Sequence, residues 1–136
     1  MVMPDGSVKA IHLHWDGYPR SAGAILGGWY KTPDRLEQLL ALGDLSALGT
    51  KLEPDPEKEH NMYNYQEDVV LAYHRDYRER MVAPRIFTDK AAYELNGKAS
   101  LSAGYLYLFE GGKWFVKGIY NTEGWIELTV EVCEED

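Results

Sequence analysis

The chain has 136 residues with 22 acidic and 14 basic side chains, a formal charge of −8, which suits one domain with a single core. General binding to a phosphate backbone needs a basic stripe, and none is present, so nucleic-acid binding through a basic surface is not expected. Its one cysteine, Cys133, excludes an internal disulfide and a cysteine-based zinc site, and no apolar run nears the ~20 residues of a membrane span, so no membrane partner is expected.

Met1–Gly6 lacks both a basic and an apolar segment, so a secretory signal is not expected. Together with the single thiol this suggests a cytoplasmic location. Val8–Trp15 alternates as a strand, with Ile11, Leu13 and Trp15 on one face and His12 and His14 on the other. Asp16-Gly17-Tyr18-Pro19 ends it with turn chemistry: Gly17 is expected to supply a backbone angle that a β-carbon penalises, and Pro19 to fix the approach to a helix. Ala22, Ile25, Leu26, Trp29 and Tyr30 then recur as one helical stripe. Gly23, Gly27 and Gly28 weaken that helix intrinsically, so packing must hold it.

Thr32-Pro33-Asp34 is a restart signal: a capping hydroxyl, a proline at the first helical position and an acid at the positive end of the dipole. Leu36, Leu39 and Leu40 supply the buried stripe, Gly43 stops the helix, and Asp44–Gly49 is expected to add a short helical turn. Thr50–Asn64 is polar and proline-punctuated, long for a structureless loop and therefore a candidate functional or mobile one. Val69–Tyr73 reads as a buried strand and Arg85–Phe87 as a second. Thr88-Asp89 caps a helix through Ala91, Ala92 and Leu95, stopped by Asn96-Gly97.

In the last third, Tyr105–Phe109 and Lys113–Lys117 flank the hairpin connection Glu110-Gly111-Gly112. Trp125–Val132 alternates, pointing Ile126, Leu128, Val130 and Val132 at the core. The expected fold class is α+β, a single domain over 1–136. An antiparallel sheet of about four or more strands, ending in a β-meander, packs on roughly two or three short helices. Trp15, Leu26, Leu40, Leu71, Leu128 and Val130 are the expected core.

Several groups are candidates for chemistry. His12, His14 and Asp16 form an H-x-H-x-D array that an extended strand would place on one face, a donor set suited to Zn²⁺, Mn²⁺ or Fe²⁺, with His74 as a further ligand. No HxxH or HxxE cluster completes it, which favours the plainer reading of polar-face histidines before a turn aspartate. Nucleophile-elbow and phosphate-loop motifs are absent. The glycines of 23–28 lie in a helical stripe and suit close packing, and Cys133 suits an inert thiol. Tyr105, Tyr107 and Phe109 share one strand face, opposite Leu106 and Leu108, and Trp125 lies on the polar side of its own strand. If those faces coincide they form an aromatic surface for stacking a base or anchoring a partner; otherwise the sheet is covered on both sides. Acids gather at Glu53–Glu59 and at Glu134-Glu135-Asp136, as a solvated loop and a frayed end or, in a sharper reading, as an acidic mimic of nucleic acid.

His14-Trp15-Asp16-Gly17-Tyr18-Pro19, followed by Gly23 and Leu26, and then Ala41-Leu42-Gly43-Asp44-Leu45-Ser46-Ala47-Leu48-Gly49, resembles a group of small proteins encoded by phages, prophages and related bacterial loci. Fainter echoes are His60, Val70 through Asp76, and Tyr105–Phe109 before Trp114. The chain departs from the group at His74, where glycine is more usual, and His12 lies outside the shared motif. The resemblance implies a setting, an accessory protein of mobile elements, and carries over no residue roles. The reading that follows is a non-enzymatic binding protein that contacts a host or phage protein, anti-CRISPR-like inhibition of host defence among the options. Asp16, Tyr18, Tyr105, Tyr107 and Trp125 are its candidate contacts, and no cofactor is expected. The alternative is a small metal-dependent hydrolase or nucleotide-binding protein using His12, His14, Asp16 and His74, with a divalent metal.

Overall fold

The computed structural model describes residues 1–101, 104–118 and 124–134. Glu135 and Asp136 of the acidic tail lie outside them. The fold is α+β. β1 (Val8–Ala10) pairs antiparallel with β4 (Arg85–Phe87), Val8 lying opposite Phe87. β2 (Leu45–Ala47) pairs antiparallel with β3 (Leu71–Ala72) across a shift in register. β5 (Tyr105–Glu110), β6 (Lys113–Gly118) and β7 (Ile126–Glu127) form the C-terminal antiparallel meander. Among the described residues the strands thus divide into sheets of two, two and three rather than one larger sheet. The short strands have local reasons to stop: Pro84 precedes β4, and α3 (Tyr73–Tyr77) begins directly after β3.

A π-helical turn at Pro19–Gly23 leads into α1 (Ala24–Trp29), and α2 (Pro33–Leu40) follows. The restart works as expected, with Thr32 Oγ1 accepting from Arg35 N at 3.4 Å and Pro33 in the first turn. Gly43 ends the segment at φ +78°, where a β-carbon would stand 2.6 Å from the Val82 carbonyl oxygen. One core cluster joins Leu26, Tyr30, Leu36, Leu39 and Leu40 of the helical region to Phe109 and Trp114 of the meander. Tyr30 is its hub: its hydroxyl donates to Gly49 O at 2.8 Å, its carbonyl accepts Trp114 Nε1 at 2.8 Å, and the Arg35 guanidinium lies over its ring. A second cluster gathers Val8, Ala10, Phe87, Tyr93, Leu106 and Leu108. Tyr93 comes from α4 (Lys90–Leu101), capped by Asp89 Oδ1, which accepts Ala92 N at 2.8 Å; this helix runs through the expected Asn96-Gly97 stop, and Leu95 is exposed.

Four other expectations need correction. Asp44–Gly49 is not helical: Leu45–Ala47 is β2, because the distant Leu71–Ala72 strand pairs with it. Trp15 is 60 % exposed, because the chain runs past β2, with Trp15 N donating to Ser46 O, and then turns outward. Trp29, at the end of α1, is also exposed. The final strand stops at Glu127 and gives way to α5 (Val130–Glu134), leaving Val130 70 % exposed. The register explains this. Phe115 lies opposite Glu127 and Leu128 N bonds Trp114 O, so β6, which starts at Lys113, has no further partner to offer. Thr129 instead starts the helix, its side chain accepting Val132 N.

Leu26, Leu40 and Leu71 are buried as expected, and Leu128 is half-buried against the first cluster. Its methyls lie over Gly23 and Gly27, where a β-carbon on Gly23 would stand 3.2 Å away. The glycines therefore serve close packing. Cys133 Sγ approaches the same turn, and burial followed by the Glu134 charge pushes its thiol pKa up, against easy ionisation.

Candidate functional site

The corner between β1 and α1 is built by three local facts. His14 N and Trp15 N donate to Leu45 O and Ser46 O, holding the incoming chain along β2. Asp16 then takes a left-handed backbone, φ 59°, uncommon for a residue with a β-carbon and best tolerated by Asp and Asn. Gly17 does not have a positive φ, and a β-carbon there would meet nothing within 4 Å, so the expected constraint falls on Asp16 instead. Gly17 contributes its carbonyl, which accepts the Tyr107 hydroxyl at 2.7 Å and ties the corner to the meander. Burial, then the neighbouring Tyr105 and Cys133, raises the Tyr107 pKa, so this phenol stays a donor.

The result is an aromatic surface. The His14 ring tilts on Trp15 with centroids 4.6 Å apart and meets Tyr73 edge-on at 6.5 Å; Tyr73 in turn meets Tyr77 at 5.0 Å. Tyr77 OH and Ser46 Oγ share a hydrogen bond of 2.8 Å, which fixes that end on β2. Tyr18, 46 % exposed, stands on the same corner. Desolvation raises the Tyr73 pKa.

The other candidates disperse. Tyr107 packs on the first core cluster and Phe109 is buried within it, while Tyr105 is exposed. Trp125 stacks on Tyr93, rings 6.0 Å apart and 15° from parallel, against the cluster that holds Leu106 and Leu108. The aromatic faces therefore do not coincide, and β5 is covered on both sides. His12 and His14 lie edge to face at 6.2 Å, whereas the His74 ring bonds the Glu79 carbonyl through Nδ1. Among the described residues no group of three or more His, Cys, Asp or Glu side chains is placed to hold a metal ion. Asp44 rather than Asp16 closes the strand here, its Oδ1 accepting His12 N and an Arg85 guanidinium N–H.

Two features escaped the sequence reading. One is the outward turn of Trp15, whose signal was Asp16 in front of a glycine. The other is an open cavity of about 490 Å³ beneath the corner, lined from both core clusters and rimmed by His12, His14, Tyr18 and Tyr105. Its lining is drawn from segments far apart in the chain, and no local pattern announces it. Comparison with protein-family models, curated proteins and solved structures finds no match for this chain.

Proposed function

We propose that this protein works by binding another protein, and that the corner Trp15–Pro19 is its contact surface. The observation that carries this reading is the exposure of Trp15 and Tyr18 on a corner whose backbone is held from behind by Tyr107. Large rigid aromatics presented on a supported turn bury much area at small entropic cost, and such side chains dominate binding energies at interfaces. Of the candidate contacts, Asp16 and Tyr18 belong to this surface directly, and Tyr107 supports it.

The setting we attach to it is that of an accessory protein of a phage or mobile element acting on a host or phage protein, with inhibition of host defence as the anti-CRISPR-like form. It rests on the resemblance in His14–Pro19 and Ala41–Gly49. The test is capture from host lysate by the wild type and by the double variant Trp15→Ala, Tyr18→Ala, with melting temperatures measured on the same preparations. The wild type is expected to retain a discrete partner that the variant loses while melting at the same temperature. Equal capture by both would remove the corner from the interface.

A further inference from the structure

We infer that the cavity beneath the corner is a binding site for a small apolar carboxylate, its hydrocarbon body among the leucines of α1, α2 and β2 and its acid group at the basic rim. This goes beyond the protein-binding reading and does not depend on it. The volume, about 490 Å³, falls within the ordinary range of small-molecule sites. Leu26, Leu36, Leu39, Leu40 and Leu45 line it from one side, and Leu106, Tyr107 and Trp114 from the meander.

The polar atoms of these walls are already engaged: Tyr107 OH by Gly17 O, Tyr93 OH by Tyr107 O, and Trp114 Nε1 by Tyr30 O. What remains inside is mainly apolar, so a hydrocarbon that displaces water there gains free energy.

Charge selects the head group. The chain carries 22 acidic residues, yet no aspartate or glutamate lines the cavity among the described residues. Its chargeable nitrogens are those of Lys9, His12 and His14 and the Met1 α-amino group, whose pKa burial, then Lys9, lowers to about 5; the exposed phenols Tyr18 and Tyr105 belong to the same lining. In a molecule of net charge −8 this is a local reversal of sign, and it meets an apolar anion with the Lys9 ammonium, the His14 imidazole and hydroxyls. A cation of the same shape would meet the Lys9 ammonium and, among the described residues, no carboxylate.

The experiment is a titration of the full chain, its leucine methyls labelled for NMR, with decanoate, decanol and decyltrimethylammonium. Decanoate is expected to shift the methyls of Leu26, Leu36, Leu39, Leu40 and Leu45 saturably, one molecule per chain. The methyls of Leu52 and Leu71, buried away from the cavity, should stay still. Decanol should bind about tenfold more weakly and the ammonium not at all. The neutral pair Lys9→Gln, His14→Gln, both at positions that are not fully buried, should bring decanoate down toward the level of decanol. Equal affinity of decanoate and decanol for the wild type would overturn the choice of an anion. Shifts at Leu52 and Leu71 instead of the cavity leucines, or no saturable shift, would overturn the site. The wild-type series decides both points even if the paired variant does not fold.

Discussion

The loop joining β2 to β3 and the corner joining β1 to α1 are both irregular, yet they are held in opposite ways. The loop is bonded throughout. Lys51 bridges to Val69 at its base, with Lys51 N donating to Asp68 O and Val70 N to Lys51 O. Inside it, the Gln66 amide exchanges bonds with Asp55 N and O, and Asn61 Oδ1 accepts the N–H groups of Tyr63 and Asn64. His60 accepts Gln66 N at Nδ1 and, through Nε2, donates to Val70 O. Arg75 reaches in from α3 to Leu52 O and Val70 O, while Asp76 accepts Arg75 and Ala72 N. The corner has few such ties, and its large side chains point outward. Length and polarity therefore say little about whether a loop is free. What matters is where its backbone bonds go.

Variants should sharpen this contrast. The largest effect is expected at Asp76, whose carboxylate is 3 % exposed and meets both Arg75 and the start of α3. Asp76→Ala leaves the buried Ala72 N–H without its acceptor and Arg75 with only its carbonyl partners, and should lower unfolding free energy by about 2–4 kcal/mol in a urea melt. A loss near zero would mean that the loop does not depend on this network. Next comes Gly49, at the base of the loop, where a β-carbon would stand 2.5 Å from the Asp68 carbonyl oxygen. Gly49→Ala forces the two backbone segments apart and should cost about 1–3 kcal/mol, read from the same melt. The smallest effect belongs to the corner. Trp15→Ala should change stability by no more than about 0.5 kcal/mol, as befits an exposed side chain. If it destabilises as much as Gly49→Ala does, the indole is structural and the interface lies elsewhere.

Elements were legible in the sequence where the deciding chemistry is local. Thr32-Pro33-Asp34 carries its own cap, and Gly111-Gly112, both at positive φ, join β5 to β6 as a two-residue turn. Leu45–Ala47 reads as helix in isolation because its partner, Leu71–Ala72, lies far along the chain. The alternation of 126–132 suited a strand, but β6 ends too soon to pair with all of it. At the candidate site, the sequence marked the corner through Asp16, Gly17 and Pro19 but put Trp15 on the wrong side. Facing direction there depends on one left-handed residue, which periodicity does not register.

The opposition of Val8 and Phe87 bears on the order of assembly. Bringing those two residues together closes most of the chain into one loop, an entropic cost that later contacts must offset. The β5–β6 hairpin closes over only two glycines and can zip within microseconds, long before such a closure. Its Leu106 and Leu108 then offer a ready apolar face on which Val8 and Phe87 can land. In that order of assembly β1 is the late arrival, settling beside β4 on a template that the C-terminal hairpin supplies.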